Sequence, residues 1–569
     1  MSPVAPADPA GFSQSIGGVA AVDRDFSSSL VSGLSFLGVE WAFGVPGGGI
    51  ARIWRALIEG IGQVCFSHEQ GAVFAAIEAG VAGNRPVAVF CTTGPGLTNT
   101  LSGLVASRHE GAKIILISAR TSPSQTGTCA IQETPAMVPS ADFFSPGWLF
   151  DDVFLLDLPE QLGSCLHRLS RRLQAPGGYL AHLSIPVSVQ NLPVPEFAVR
   201  PRATAYPPAV DNSAVAEAAA LLRGRRFVVW AGHGARSGSR QVREFIERTG
   251  APVLTTARGK GVVSDHDPRL LMVTGMGGHP EARRWLSEYR PEVCLVLGTR
   301  MGEASGGWDP SLTPSAGFIQ VDLNPAADGP RARHLMTIQG DVGSFLEQLT
   351  PLMPAAAGPV DYGSPYPGTL EARCGGGVRP QYLIGAMERV LTRSGCPILV
   401  EPGSCMAWAI HWLRAPEPGL LRIPSQFGCM GHMTCGVVGA ALAGGRPAAC
   451  LTGDGSMLMA EEVHTAADRG VPAIWVVLNN GGLQMVEAGM SANGPFGSEA
   501  RFLRCDFTKL AEAWGATGIA VAEECEADGA LTAALASGGP CIVDVQVDLR
   551  ERAPIGERLE TLARQQIGA

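Results

Sequence analysis

The chain has 569 residues, of which 46% are hydrophobic and 17% are charged, and it carries a formal net charge of −9 at pH 7. An acidic chain without a long basic run does not neutralise phosphates, so we expect no nucleic-acid partner. No apolar run approaches the ~20 uncharged residues of a membrane span, and we expect no membrane association. The length and apolar content fit an α/β protein of about three to four domains.

The N-terminal residues and the cysteines indicate the cellular compartment. Residues 1–25 have neither the basic start nor the apolar core of a secretory signal, and we predict a flexible leader. The 14 cysteines are scattered without a close Cys-x-x-Cys pair, which favours buried reduced thiols over disulfides or a zinc site. Together these features predict a cytoplasmic protein.

Residues 26–190 are predicted to form a first domain, in which strands and helices alternate as in a doubly wound parallel sheet. One strand ends at 46–49 (PGGG), where glycines either let the backbone approach a ligand or simply make a tight turn. A second turn at 93–96 (TGPG) begins a helix and leads to Asn99. A polar loop at 132–135 (QETP) follows the next strand.

Glu69 begins a helix that is rich in small residues. Its alanines form one stripe at helical spacing, so we predict that the helix packs very closely against another element; they are Ala72, Ala75, Ala76 and Ala79. The Glu69 carboxylate either complements the dipole of its helix or is a partly buried acid that protonates a cofactor nitrogen. The local sequence alone favours the first interpretation.

Residues 212–350 are predicted to form a second α/β domain, and 351–378, rich in Pro, Gly, Ala and Ser, to be a linker. Such a domain can bind a dinucleotide, but no Gly-x-Gly-x-x-Gly follows its first strand. The turn at 232–235 (GHGA) resembles that motif only weakly, and the sequence favours a turn without a ligand.

Residues 379–550 are predicted to form a third α/β domain, followed by a charged helical tail at 551–569. The first strand of this domain leads into 401–404 (EPGS), a candidate phosphate-approach loop. A glycine-rich segment follows at 427–445, and 490–504 is predicted to be an irregular lid over the site.

The segment 451–483 carries the most specific motif of the chain. It is predicted to be strand, acidic turn, helix and strand, with GDG at 453–455 and a doubled asparagine at 479–480. Because parallel strands end at one edge of the sheet, Asp454 and Asn480 should lie side by side. Carboxylate and amide oxygens suit Mg²⁺, which in turn binds phosphate oxygens.

The GDG and NN motifs at this spacing resemble the signature of thiamine-diphosphate-dependent enzymes. Further motifs of that family follow in the same order along residues 25–550: FGVPGG at 43–48, HEQ at 68–70, TGPG at 93–96, QETP at 132–135 and FGCMG at 427–431. The chain is most similar to the acetohydroxyacid (acetolactate) synthase-like branch. This resemblance implies three doubly wound α/β domains: pyrimidine-binding, central and diphosphate-binding. It also implies a homodimer or homotetramer whose active sites are shared between subunits.

The resemblance assigns a role to individual residues. Glu69 matches the glutamate that protonates the aminopyrimidine ring of the cofactor, and Gly48 and Gln132 lie where relatives contact the substrate or stabilise developing charge. Asp454, Asn480 and the backbone carbonyl of Gly482 match the ligands of Mg²⁺. Met430 matches the apolar residue that props the cofactor in a bent shape. The other residues assigned to cofactor binding are Pro46, Thr93, Asn99, Gly403, Ser404, Cys429, Gly453, Gly455, Ser456, Leu483 and Met485.

The chain also departs from the synthase pattern. Gly489 stands where the synthases carry a tryptophan that sizes the acceptor pocket, which allows a bulkier acceptor. The Asp-Arg pair that contacts FAD is replaced by 302–304 (GEA), which argues against FAD. The adjacent histidine pair of simple decarboxylases is not evident. His109 is a single histidine, interpreted as an exposed loop residue rather than a substrate contact.

These residues lead to one main functional hypothesis and three alternatives. We expect a carboligase that decarboxylates a 2-oxo acid such as pyruvate and joins the remaining acyl group to a carbonyl acceptor. A simple 2-oxo acid decarboxylase and a flavin-carrying oxidase are the catalytic alternatives. A non-catalytic relic is disfavoured because Glu69, Asp454 and Asn480 are all present.

Overall fold

The computed structural model describes residues 25–133, 147–197, 209–306, 309–324, 334–358, 360–363, 366, 368–425, 427–491 and 499–567. It contains three six-stranded parallel sheets, one in each predicted domain, which confirms the fold class. The leader up to residue 24, the Thr-Pro half of the 132–135 loop and residues 492–498 of the predicted lid lie outside the described residues. No helix in the described ranges has the length and apolar character needed to cross a membrane.

The first sheet has the strand order β2-β1-β3-β4-β6-β5. Its strands are β1 (Trp41–Gly44), β2 (Gly62–Cys65), β3 (Val87–Cys91), β4 (Lys113–Arg120), β5 (Asp152–Leu155) and β6 (Tyr179–Pro186). Its helices are α1 (Phe26–Phe36), α2 (Ala51–Gly60), α3 (Glu69–Gly83), α4 (Pro95–Asn99), α5 (Leu101–Glu110) and α6 (Gln161–Leu173). Strand β3 is buried on both faces, with Val89 in one hydrophobic cluster and Ala88 and Phe90 in another, as a doubly wound sheet requires.

The central sheet has the order β12-β11-β10-β7-β8-β9. Its strands are β7 (Phe227–Ala231), β8 (Val253–Thr256), β9 (Leu270–Thr274), β10 (Val293–Leu297), β11 (Gly317–Asp322) and β12 (His334–Gln339). Its helices are α7 (Asn212–Leu222), α8 (Ser239–Thr249), α9 (Glu281–Tyr289), α10 (Glu303–Gly306) and α11 (Val342–Leu349). This order, counted within the domain, is the one found in dinucleotide-binding folds.

The third sheet has the order β14-β13-β15-β16-β18-β17, which repeats the order of the first sheet when both are counted within their own domain. Its strands are β13 (Ile398–Val400), β14 (Leu421–Arg422), β15 (Ala448–Gly453), β16 (Ala473–Asn479), β17 (Thr517–Val521) and β18 (Cys541–Gln546). The helices are α12 (Pro380–Met387), α13 (Ser404–Trp412), α14 (His432–Gly444), α15 (Asp454–Met457), α16 (Glu462–Arg469), α17 (Gln484–Ser491), α18 (Phe507–Ala513), α19 (Ala527–Ala536) and α20 (Gly556–Ile567).

The alanine-rich helix α3 packs directly on α14 of the third domain. A Cβ atom built on Gly439 would lie 1.9 Å from the carbonyl oxygen of Ala75, and one on Gly436 would lie 2.7 Å from Cγ of Glu78. Only glycine allows the two backbones to approach this closely. The contact confirms the close packing that the alanine stripe predicts, and it joins the first domain to the third.

A buried ion-pair network joins all three domains. Arg422 on β14 donates to both oxygens of Glu78, at 2.8 and 2.9 Å, and to Glu110 at 2.6 Å. Arg258 of the central domain donates to the same oxygen of Glu110 at 2.6 Å. Burial alone raises the pKa of Glu110, but the positive charges of Arg422 and Arg258 outweigh it and hold the pKa well below its usual value. The network fixes the domains relative to one another.

Candidate active site

The first half of the site lies at the carboxyl end of the third sheet. Asp454 follows β15, and Asn480 follows the neighbouring strand β16. Oδ2 of Asp454 accepts hydrogen bonds from the backbone amides of Asn480 at 3.0 Å, Gly481 at 2.6 Å and Gly482 at 3.3 Å. The two strand ends are therefore locked together through one carboxylate, as the motif predicts.

The oxygens of this cluster form a donor set for a hard cation. Asp454 is only 2% exposed, and burial raises the pKa of its carboxyl while the backbone hydrogen bonds that it accepts lower it. Oδ1 of Asn480 accepts from the Gly482 amide at 3.1 Å, which keeps the amide oxygen beside the carboxylate. A carboxylate, an amide oxygen and a backbone carbonyl are suitable ligands for Mg²⁺ that also binds phosphate.

A cavity of about 240 Å³ opens beside this cluster. Its lining includes nearly all of the third-domain residues that the resemblance assigns to cofactor binding: Gly403, Ser404, Met430, Gly453, Asp454, Gly455, Ser456, Asn480, Gly482, Leu483 and Met485. Cys429 is the exception, since it precedes Met430 without lining the cavity.

Two details of the lining fit a diphosphate-bearing cofactor. The hydroxyl of Ser404, at the start of α13, is buried and has no hydrogen-bond partner among the described residues. Because buried polar groups are normally hydrogen-bonded, this hydroxyl can donate to an oxygen of a bound ligand. A Cβ atom on Gly455 would lie 2.5 Å from Leu483 and 3.7 Å from the methyl carbon of Met430. The cavity is therefore polar beside Asp454 and apolar where Met430 and Leu483 meet.

The second half of the site lies at the carboxyl end of the first sheet. Glu69 begins α3, is 7% exposed, and accepts a hydrogen bond of 3.0 Å at Oε2 from the side-chain amide of Asn99. A Cβ atom on Gly96 would lie 3.1 Å from Oε1 of Glu69. The TGPG turn therefore packs against the Glu69 carboxyl group, and the absence of a side chain at Gly96 leaves room for it.

The remaining predicted residues of the first domain lie in the turns and loop that follow β1, β3 and β4 at the same edge of the sheet. Pro46 and Gly48 follow β1, and Thr93 follows the neighbouring strand β3. A Cβ atom on Gly48 would meet nothing within 4 Å. Gln132 lies beside the TGPG turn, because its carbonyl oxygen would be 2.9 Å from a Cβ atom on Gly94, whose φ is +61°.

Among the residues that the structure describes, the cavity beside Asp454 is not lined by Glu69 or its neighbours. Among the described residues, those that line the cavity beside Asp454 all belong to the third domain. Glu69 and its neighbours belong to the first domain. The structure thus brings each predicted set together separately, one set at each sheet edge.

Sequence reasoning missed the role of Glu401. The sequence places it in the phosphate-approach loop 401–404, whose other three residues, Pro402, Gly403 and Ser404, line the cavity. The Glu401 carboxylate is fully buried and accepts from the amides of Gly431 at 2.5 Å and Met433 at 2.7 Å. It thereby anchors the loop that carries Met430. Burial raises its pKa to about 7, although His432 and these hydrogen bonds lower it.

Two residues noted as departures from the family do not line the cavity. Gly489 is on α17, and a Cβ atom there would lie 4.0 Å from Cδ1 of Leu562 on α20. His109 is exposed but helical, so its assignment to a loop was wrong: α5 continues through Glu110 and ends at Gly111, whose φ is +70°. The His109 ring stacks on Phe427, with 5.1 Å between ring centroids.

The two glycine turns of the central domain form hydrogen bonds within the domain. The amide of Gly232 donates to Leu297 at 2.8 Å, and that of Gly234 donates to Gly298 at 2.9 Å. A Cβ atom on Gly298, whose φ is +62°, would lie 2.5 Å from the backbone of Gly234. The two turns therefore pack against each other, backbone to backbone.

Comparison with known proteins identifies the class. The chain matches three family models: the N-terminal TPP binding domain of thiamine pyrophosphate enzymes at residues 24–139, their central domain at 215–349, and their C-terminal TPP binding domain at 401–545. The chain therefore belongs to the thiamine pyrophosphate (thiamine diphosphate) enzymes.

The curated proteins that the chain resembles include acetolactate synthases. Acetolactate synthase 2, chloroplastic, of Nicotiana tabacum is 27% identical, over 93% of this chain and 83% of its own length. Acetolactate synthase isozyme 1 large subunit of Escherichia coli (strain K12) is 26% identical, over 90% of this chain and 92% of its own length. An acetolactate synthase of Mycobacterium bovis is 27% identical, over 87% and 83% respectively. The chain is an acetolactate synthase-like, thiamine-diphosphate-dependent enzyme.

Proposed function

We propose that the chain is a Mg²⁺-dependent carboligase that decarboxylates a 2-oxo acid, with pyruvate as the proposed donor. It then joins the acyl group to a carbonyl acceptor to give an acyloin or acetohydroxyacid-type product. The observation that carries the proposal is the presence of both half-sites: Asp454 locked to Asn480, and Glu69 held by Asn99.

The third-domain half would hold the diphosphate and the metal. Asp454, Asn480 and the Gly482 carbonyl would bind Mg²⁺. The Ser404 hydroxyl, which has no hydrogen-bond partner among the described residues, would donate to a diphosphate oxygen. Met430 and Leu483 would form the apolar floor against which the cofactor rests. When bound, thiamine diphosphate supplies the nucleophilic carbon that adds to the 2-oxo acid and accepts the electron pair released with CO₂.

The first-domain half would supply proton control. Glu69 would hold a proton at the far ring nitrogen of the aminopyrimidine, and the Asn99 amide would keep that carboxyl in place. Gly48 and Gln132 would face the substrate from the turn after β1 and from the loop after β4.

A second copy of the chain would complete each site. The cavity beside Asp454 is lined, among the described residues, by the third domain alone, so it needs Glu69 from elsewhere. In a twofold dimer, the first domain of each chain can face the third domain of the other, so one interface forms two complete sites. This supports a homodimer, or a homotetramer built from two dimers.

Flavin would not take part in this reaction. In place of the Asp-Arg pair, the chain has Glu303, which forms an ion pair with Arg558 of α20. The backbone N–H groups of Gly232 and Gly234 already donate hydrogen bonds to backbone carbonyls, so they are not available to bind a dinucleotide phosphate. Purified protein should lack visible flavin absorbance; a yellow protein with stoichiometric flavin would contradict this part of the proposal.

The product profile tests the proposed function. Purified protein with thiamine diphosphate, Mg²⁺ and ¹³C-labelled pyruvate is incubated with a panel of aldehydes and ketones, and the products are analysed by mass spectrometry. The proposal predicts a labelled two-carbon unit joined to at least one acceptor. If only acetaldehyde and CO₂ form with every acceptor, the chain is a simple decarboxylase and the carboligase proposal fails.

A further inference from the structure

Glu462 is a buried carboxylate that reaches from the third domain to the helix of Glu69. It lies on α16, is 1% exposed, and accepts from the backbone amides of Ser67 at 3.1 Å and His68 at 3.2 Å. These two residues immediately precede Glu69 in the chain. The carboxylate therefore caps the start of α3 from outside the first domain.

The surroundings are shaped for this contact. A Cβ atom on Gly71 would lie 2.4 Å from Oε1 of Glu462, so glycine on the first turn of α3 leaves room for the carboxylate. The hydroxyl of Thr465 donates to Oε2 of Glu462 at 2.6 Å and orients it. The Thr465 hydroxyl is also 3.5 Å from that of Ser67.

Stability alone does not account for a carboxylate in this position. Its hydrogen-bond partners are two amides and a hydroxyl, all neutral. Burial raises the pKa of Glu462, the hydrogen bonds that the carboxylate accepts lower it, and the neighbouring Glu461 raises it; the net pKa is about 7. A buried carboxylate whose bonds all come from neutral donors is costly to desolvate, so a cap made of Ser or Asp within the first domain would serve folding better.

The position along the chain indicates what the contact does. Asn99 fixes the end of the Glu69 side chain, while Glu462 fixes the two peptide groups that precede it. We propose that Glu462 is a positioning residue, which holds the start of α3 so that the Glu69 carboxyl meets the aminopyrimidine nitrogen. This inference rests on the proposed function.

The test compares Glu462→Gln with Asp468→Asn, which removes the charge of an exposed carboxylate on the same helix. Three quantities are measured: thiamine diphosphate affinity by titration calorimetry with Mg²⁺, kcat and KM, and the rate at which the acidic carbon-bound hydrogen of bound cofactor exchanges for solvent deuterium. Affinity and KM should change less than about twofold, because Asp454 and Asn480 are untouched, whereas misplacement of the acid should slow exchange and kcat by about tenfold to a hundredfold. Asp468→Asn should match the wild type.

The outcomes separate this inference from its alternatives. Exchange at the wild-type rate in Glu462→Gln, with only a lower unfolding temperature, would show a purely structural cap and overturn the proposal. An affinity loss as large as the loss in exchange would also overturn it, because the residue would then act on the diphosphate. If Glu462→Gln does not fold, Thr465→Val decides in the same way, since it removes only the hydroxyl that orients the carboxylate. Wild-type protein that does not bind thiamine diphosphate would instead refute the proposed function.

Discussion

The side-chain amide of Asn99 donates a hydrogen bond of 3.0 Å to Oε2 of Glu69. One oxygen of this buried carboxyl group is therefore held by a neutral donor. The bond holds the carboxyl without adding charge beside it. Gly96 leaves the space next to the other oxygen free of a side chain. This pair is the proposed proton-donating half of the site.

Glu69→Gln removes the proton of this half-site but keeps its shape. We expect kcat to fall by at least about a hundredfold, because general acid catalysis is worth about 10²–10⁴. Cofactor affinity should change little, since the proposed ligands of the diphosphate lie in the third domain. Steady-state kinetics and titration calorimetry measure the two effects. Activity close to that of the wild type would refute the role assigned to Glu69.

Asp454→Ala should act on cofactor affinity instead. The carboxylate accepts four backbone hydrogen bonds, including 2.9 Å from Gly455, and is the charged member of the proposed metal site. Its loss should weaken Mg²⁺-dependent binding of thiamine diphosphate by at least about tenfold. Asp468→Ala, at an exposed position on α16, is the matched control. Equal affinity in the two variants would contradict the metal assignment.

The contact between α3 and α14 gives a pair of glycine variants with opposite effects. In Gly439→Ala the new methyl group would lie 1.9 Å from the Ala75 carbonyl oxygen, so the helices must separate, at a cost of about 1–3 kcal/mol. In Gly444→Ala, on the same helix, the methyl would lie 3.8 Å from Cγ of Arg446, and stability should rise by about 0.5–1 kcal/mol. Urea unfolding measures both. Two variants of equal stability would mean that the helices do not pack as described.

The buried Glu401 should give stability a specific dependence on pH. Its pKa is about 7 in the folded protein against 4.5 as the usual value, so its contribution is complete below pH 4.5 and is lost as pH rises through 7. Glu401→Gln cannot titrate. The stability of the wild type relative to this variant should therefore fall by about 1.4 kcal/mol per pH unit within that window. Parallel curves of unfolding free energy against pH would contradict the prediction.

The parts of the site that depend on short motifs were predictable from the sequence. Strand, turn and helix around Asp454 follow from an apolar run and a GDG turn, and neighbouring parallel strands necessarily bring Asn480 beside it. The close packing of α3 also followed, because alanines at helical spacing leave little side chain between backbones. Its partner did not follow, since Gly439 is more than 350 residues away and no local pattern links the two.

The parts that depend on long-range contacts were not predictable. Glu401 looks like the start of a loop, and only the folded chain brings the amides of Gly431 and Met433 to its carboxylate. Glu462 looks like one of two similar glutamates on a helix, and the sequence does not tell which of them faces Ser67. The sequence likewise does not show that Arg422 and Glu110 form a buried ion pair, because the pair forms only where the three domains contact one another.

The sharing of sites between two chains can be tested by mixing two defective variants at a thiamine diphosphate concentration that loads the wild type but not Asp454→Ala. Glu69→Gln lacks the acid of the first domain, and Asp454→Ala lacks the metal ligand of the third. If each site combines these halves from different chains, a heterodimer has one site with both defects and one intact site. Denaturation and refolding of an equal mixture should then restore about a quarter of wild-type activity, since about half of the dimers are mixed. Activity no higher than that of either variant alone would contradict the two-chain site.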